Sequence, residues 1–182
     1  MKILLFGISN IGKSTIGELL AKRLGYRFFD LDEEVKREFH TTLEEFVHTE
    51  NLRWRDQKRG RIIKKILSAE NDIVFAITPI SYTDNFKKRI INEDVLPIVL
   101  IDTPENIFDR LVFSDENDNI YMDDKYKNQR KDYYLNDIQE DIKWYGSVFM
   151  KMGIKNEFVI SKDSIEQNVN RLIFEYHLDE LK

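Results

Sequence analysis

The chain has 182 residues, a net charge of −5 and no cysteine, which suits one domain, or one domain with a small lid, around a single sizeable core. The missing thiols exclude disulfides, zinc–thiolate sites and a cysteine nucleophile, and the mixed, mildly acidic charge gives no electrostatic basis for gripping a nucleic-acid backbone. No apolar run reaches membrane-spanning length, and an apolar strand beginning at the second residue leaves no room for a secretory leader, so no membrane partner and a cytoplasmic location are expected.

Lys2-Ile3-Leu4-Leu5-Phe6 reads as a buried strand. It runs into G-x-x-x-x-G-K-S, Gly7 to Ser14, and then into a helix with Ile16, Leu19, Leu20 and Leu24 at helical spacing. A glycine-rich turn between strand and helix is the phosphate-binding P-loop in its required setting. Its backbone N–H groups gather into one cup, made positive by the helix dipole. Gly7 and Gly12 let the backbone approach phosphate oxygens, and Asn10 suits a left-handed position in the turn. Lys13 reaches the β- and γ-phosphates, and Ser14 offers its hydroxyl to Mg²⁺. Gly7, Asn10, Gly12, Lys13, Ser14 and Thr15 are therefore the candidate nucleotide-binding residues.

Gly25 ends that helix, and Tyr26-Arg27-Phe28-Phe29 forms a second strand closing on Asp30-Leu31-Asp32. Strand, helix and strand at this spacing make a βαβ unit, whose ligands sit beyond the carboxyl ends of the strands. There Asp30 takes a place near Mg²⁺ through water, and Asp32 accepts a hydrogen bond from a substrate hydroxyl and can take its proton. The same pair also caps the next helix, a compatible role. Thr42 and Glu45 form a capping box. In the following helix Arg53 and Arg55 flank Trp54; they either hold an anionic substrate or form a solvated face paired with Glu50 and Asp56.

The order of P-loop, D-x-D after the second strand, T-x-x-E-x-F (Thr42 to Phe46) and then Glu50, Arg53 and Asp56 resembles the shikimate kinase family. The resemblance implies a three-layer α/β/α P-loop fold over residues 1–182. It also implies about five parallel strands in the order 2-3-1-4-5 and a lid near residues 114–131. ATP and Mg²⁺ are the implied cofactors, with Ser14 and Asp30 at the Mg²⁺ positions. Asp32 and Arg53 fall on residues that hold the hydroxyls and carboxylate of shikimate. Arg110 falls where the family stacks an arginine near the adenine.

Three departures follow in chain order. After the third strand, Asp72 to Ile77, the family has three glycines against the substrate ring; here stand Thr78-Pro79-Ile80. The lid segment Ser114 to Asn119 is acidic where the family carries cations, and an anionic loop repels phosphates. Lys125, Lys127, Arg130 and Lys131 follow it and are expected to close over the nucleotide instead. The run Glu140 to Tyr145 lacks the family's second carboxylate arginine, with only Lys143 in its place.

A basic helix is expected over Asp84 to Ile91, and a fourth strand over Leu96 to Ile101 with Pro97 near its start. Thr103 and Pro104 open the next helix. One long helix is expected over Tyr126 to Met152, with Trp144, Tyr133 and Tyr134 in the core or lining a pocket. A fifth strand runs over Glu157 to Ile160, and a last helix is capped by Ser164 and Gln167. His40, His48 and His177 are scattered and suit neither a metal site nor a general base.

The implied activity is phosphoryl transfer from ATP to a hydroxyl of a small molecule, shikimate by resemblance, by a monomer or homodimer. The alternatives are a nucleotide-binding regulatory module without kinase activity, and a nucleoside or nucleotide kinase.

Overall fold

A computed structural model describes residues 1–179. In chain order the elements are β1 (Lys2–Phe6), α1 (Lys13–Leu24), β2 (Arg27–Asp30), α2 (Leu31–Phe39), α3 (Leu43–His48), α4 (Leu52–Ala69) and β3 (Ile73–Ala76). Then come α5 (Lys87–Ile90), β4 (Val95–Ile101), α6 (Pro104–Asp109), β5 (Phe113–Ser114), β6 (Ile120–Tyr121), α7 (Asp124–Gln129), α8 (Lys131–Lys151), β7 (Asn156–Val159) and α9 (Ile165–Glu175). The main sheet is parallel throughout and ordered β2-β3-β1-β4-β7, so the expected 2-3-1-4-5 order holds with β7 as its fifth strand. β5 and β6 pair separately as an antiparallel hairpin.

β1 is the centre of the sheet because it is apolar on both faces. Its side chains alternate across the pleat. Ile3 and Leu5 join Ile16, Leu20 and Leu24 of α1 and Val169 and Leu172 of α9. Leu4 and Phe6 join Val35, Phe46, Ile62, Ile63 and Ile66 from α2, α3 and α4, with Phe149 of α8. The result is the three-layer arrangement expected for a parallel sheet with crossover helices. α1 lies close on the sheet because Gly17 faces Phe28; a Cβ there would stand 2.7 Å from the ring.

Helix boundaries follow their caps. Gly25 ends α1 in the left-handed region at φ 72°. Thr42 and Glu45 make the reciprocal capping box of α3, as Ser164 and Gln167 do for α9. Thr103 caps α6, with Pro104 at its first position.

Three expectations need correction. The helix expected over Asp84 to Ile91 is only the single turn α5, because Thr83 and the buried Phe86 hold a tight turn before it. The long helix breaks at Arg130, whose backbone (φ −117°, ψ 25°) ends α7 and starts α8. Trp144 and Tyr133 are not core: they are 59% and 65% exposed, and Trp144 Nε1 donates to Ser81 Oγ at 3.3 Å.

Candidate active site

The P-loop lies between β1 and α1, where the sequence puts it. Gly7 (φ 142°), Asn10 (φ 60°) and Gly12 (φ 104°) all take positive φ. A Cβ on Gly7 would stand 3.0 Å from Ile11 and 3.1 Å from the carbonyl oxygen of Leu100, so the loop hugs the end of β4. Asn10 is tolerated there because its short polar side chain lowers the left-handed penalty.

Lys13 is buried. Its Nζ donates to the carbonyl oxygens of Gly7 at 3.0 Å and Ile8 at 2.8 Å. Burial lowers its pKa to about 8, against the opposing pull of Asp32 and Asp30.

The end of β2 supplies the acids. Asp30 caps α2 by accepting the Asp32 N–H at 2.9 Å on Oδ1. Its Oδ2 accepts the Ser14 hydroxyl at 2.5 Å. A hydroxyl and a carboxylate converging in this way suit a hard cation such as Mg²⁺, which takes one or two protein oxygens and leaves the rest to water and phosphate. Among the described residues no group of three or more His, Cys, Asp or Glu is placed to hold a metal.

Asp32, one residue into α2, is half-buried. Burial first, and the Asp30 carboxylate second, push its pKa up; Arg59, Lys13 and the Thr78 hydroxyl facing it pull the other way.

These residues share one cavity of about 810 Å³. Asn10, Gly12, Lys13, Ser14 and Thr15 line it from the P-loop, with Arg110 at the end of α6. Asp32, Glu33, Lys36, Leu43 and Thr78 line it from α2, α3 and the segment after β3, with Asp32 near enough to Lys13 to pull its pKa up against burial. Val112, Phe113, Ser114, Asp118 and Ile120 form a wall from the hairpin. Arg110 is tied to the loop: Nε donates to the Asn10 carbonyl at 3.2 Å, and Nη2 to the buried Asp102 at 2.6 Å.

The departures from the family pattern now have a shape. Ile80 is buried in the core, so it does not occupy the cavity and Thr78 faces it instead.

Arg53 is not brought into the site. It is exposed, in the first turn of α4 before the buried stretch begins at Asp56, with its guanidinium 5.6 Å from the Tyr82 ring centroid. Arg55 is spent on the backbone, donating to the carbonyl oxygens of Val47 and Glu50.

The basic residues after the hairpin do not reach the nucleotide end either. Lys127 is buried and donates to the Asp109 carbonyl oxygen at 3.2 Å, Arg130 lies over Tyr126, and Lys131 faces Phe108. Lys143 is exposed and outside the cavity lining.

Two features escaped the sequence reading. Lys36 lines the cavity one helical turn beyond Asp32, a spacing that puts both on one face of α2. It pairs with Glu33 at 2.6 Å. Asp56 is fully buried and holds the segment after β3. Its Oδ2 accepts the N–H groups of Ser81 at 2.9 Å and Tyr82 at 3.0 Å, and its Oδ1 pairs with the buried Arg59 at 3.2 Å. The family motif with Glu50 and Arg53 marks Asp56 without a role, and only the i, i+3 spacing to Arg59 hinted at this pair.

A P-loop lysine, a hydroxyl–carboxylate pair beside it and a second carboxylate across one cavity, on a 2-3-1-4 sheet with a fifth strand, define a P-loop kinase fold. The family model for shikimate kinase matches residues 9–144. A shikimate kinase of Persephonella marina is 31% identical over 116 residues, covering 63% of this chain and 69% of the relative. The chain belongs to the shikimate kinase family, a family of kinases.

The fold agrees. The crystal structure of a shikimate kinase from Bacteroides thetaiotaomicron superposes with a TM-score of 0.77 at 20% identity, over 97% of this chain and 98% of that one. A shikimate kinase from Acinetobacter baumannii, solved in complex with shikimate, gives 0.73 at 19% identity over 100% of this chain and 95% of that one.

Proposed function

We propose that the chain transfers the γ-phosphoryl group of ATP to a hydroxyl of a small hydroxy acid, with shikimate as the first acceptor to test. One observation carries this reading: a phosphate cradle and a carboxylate with a raised pKa line the same cavity.

Gly7, Asn10, Gly12 and Thr15 shape the cradle, and Arg110 braces it through the Asn10 carbonyl. Lys13 exchanges its bonds to the Gly7 and Ile8 carbonyls for phosphate oxygens and neutralises charge on the transferring group. Ser14 and Asp30 would hold a magnesium ion, which would supply charge neutralisation to bound phosphate. Asp32 orients the acceptor hydroxyl and accepts its proton, with Thr78 beside it. Most of the rate gain on this scheme comes from positioning and electrostatics.

The acceptor's anionic group goes to Lys36. The cations lining the cavity among the described residues are Lys13, Lys36 and Arg110; Lys13 and Arg110 belong to the phosphate cradle, which leaves Lys36, on the same face of α2 as Asp32, for the acceptor. A lysine is a point charge without the bidentate fork of an arginine, so selectivity for a planar carboxylate should be looser than an arginine clamp gives.

The test is coupled ADP release with Mg²⁺-ATP against shikimate, related cyclic hydroxy acids and a set of nucleosides and nucleoside monophosphates. Saturable release with shikimate or a related acid is the expected result. Tight ATP binding with no release on any acceptor would replace this reading with a regulatory nucleotide-binding module, and release only with a nucleoside or nucleotide would make the chain a nucleotide kinase.

A further inference from the structure

The acidic segment after α6 has a geometry that its composition does not suggest. In the β5–β6 hairpin, Asp115 knits the turn from within. Its Oδ1 accepts the N–H groups of Asn117 at 2.8 Å and Asn119 at 2.9 Å, and its Oδ2 accepts Asn119 Nδ2 at 2.9 Å. The side chain of Asp118, a half-buried residue in the left-handed region at φ 62°, points elsewhere. It crosses to α3, where Oδ2 accepts the N–H of Leu43 at 2.7 Å, 75 residues away in sequence. Leu43, Lys36 and Asp118 all line the same cavity. The hairpin is thus tethered to α3, beside the α2 wall that carries Asp32 and Lys36, while Arg110 is bonded to the P-loop.

We infer that Asp118 is a specificity-determining residue of the lid: its bond to Leu43 holds the hairpin over the acceptor, so this carboxylate governs acceptor affinity and not nucleotide affinity. The inference rests on the phosphotransferase reading above. It also accounts for a lid tip that is acidic. A carboxylate over the triphosphate would oppose transfer. Over the acceptor it accepts hydrogen bonds from hydroxyls and disfavours a molecule that turns an anion toward the hairpin. Lys36, between Glu33 and this carboxylate, remains the place for the acid group of the acceptor.

The experiment compares the full chain with Asp118→Ala and Asp118→Asn. Both changes lie on a turn that Asp115 holds independently, so the fold is expected to be unaffected. In Asp118→Ala the KM for shikimate should rise about tenfold, the cost of a charge-assisted hydrogen bond, while the KM for ATP stays within about twofold. The Leu43 amide should exchange with solvent about tenfold faster in the same variant. In the unaltered chain, shikimate should slow that exchange and Mg²⁺-ATP alone should leave it as it was.

Equal changes in the two KM values overturn the assignment, as does Leu43 exchange that is indifferent to Asp118 or that responds to Mg²⁺-ATP alone. Failure of turnover on every acceptor counts against the phosphotransferase reading itself; the exchange rates, which need no turnover, then decide whether Asp118 is the tether.

Discussion

Asp56 gives the sharpest test of how the segment after β3 is held. Its carboxylate is fully buried and accepts three donors: the backbone N–H groups of Ser81 and Tyr82 and Nη1 of Arg59. Asp56→Ala removes all three acceptor contacts at once. It leaves two amides short of a partner, each costing about 1–3 kcal/mol if buried. It also leaves a buried guanidinium whose Nε already lacks a partner. Breaking a buried ion pair from one side costs about 3–5 kcal/mol. These costs overlap, because the segment can relax toward water once released, so the expected loss is about 4 kcal/mol.

Urea unfolding reads this directly as a fall in midpoint of about 2 M, for a slope of about 2 kcal/mol/M. The paired variant Asp56→Leu/Arg59→Met sharpens the test. It removes the stranded charge but not the unmet amides of Ser81 and Tyr82, so it should recover only about half of the loss. Activity should fall further than stability, because the same segment presents Thr78 to Asp32. A loss below about 1 kcal/mol in Asp56→Ala would refute the idea that this carboxylate anchors the loop.

Two further perturbations test the cradle and the underside of the sheet. Lys13→Met should weaken ATP binding by at least about tenfold and lower kcat by about a hundredfold or more. In the unaltered chain the Lys13 ammonium is lost as pH rises through about 8, so ATP affinity should decline from pH 7 to 9. Binding near pH 8 should take up a proton, and calorimetry in buffers of different ionisation enthalpy that shows no uptake would sink this account. Asp94 accepts hydrogen bonds from Arg89 and from the buried Lys2, which hold its carboxyl well below the ordinary 3.8. A depressed folded-state value contributes stability that is present above 3.8 and is lost as pH falls toward the folded value. Asp94→Asn should therefore cost about 1 kcal/mol at pH 7, discounted because the carboxylate is half exposed, and the gap to the parent should close below about pH 4.

What was legible in the sequence was what local chemistry fixes. The P-loop spacing is dictated by the size of a phosphate cup, so Gly7, Asn10, Gly12 and Lys13 could be placed without a structure. The caps at Thr42, Thr103 and Ser164 were equally readable, because a helix must satisfy its first N–H groups within a few residues. The sheet order came with the family resemblance.

Most of the misses share a different cause. Asp56 looked like part of a solvated charged face because its partners, Ser81 and Tyr82, lie 25 and 26 residues away. Asp118 looked like unfavourable lid charge, since nothing in a run of acids says which one crosses to Leu43. Arg53 stood at the right place in a motif but on a helical turn that carries it out of the cavity. The long helix was broken by the backbone angles of Arg130, a residue with ordinary helix propensity. For the three acidic and basic side chains a tertiary partner, or its lack, outweighed the local pattern; nothing in the structure explains the break at Arg130.

The bend between β5 and β6 is closed by hydrogen bonds that begin and end within five residues, all on Asp115. A loop braced so locally is modular: residues 116 and 117 can be rewritten while Asp115 holds the bend and Asp118 keeps its bond to Leu43. On the role proposed for Asp118, the rim is then where acceptor preference can be engineered, residue by residue, without reopening the architecture beneath it.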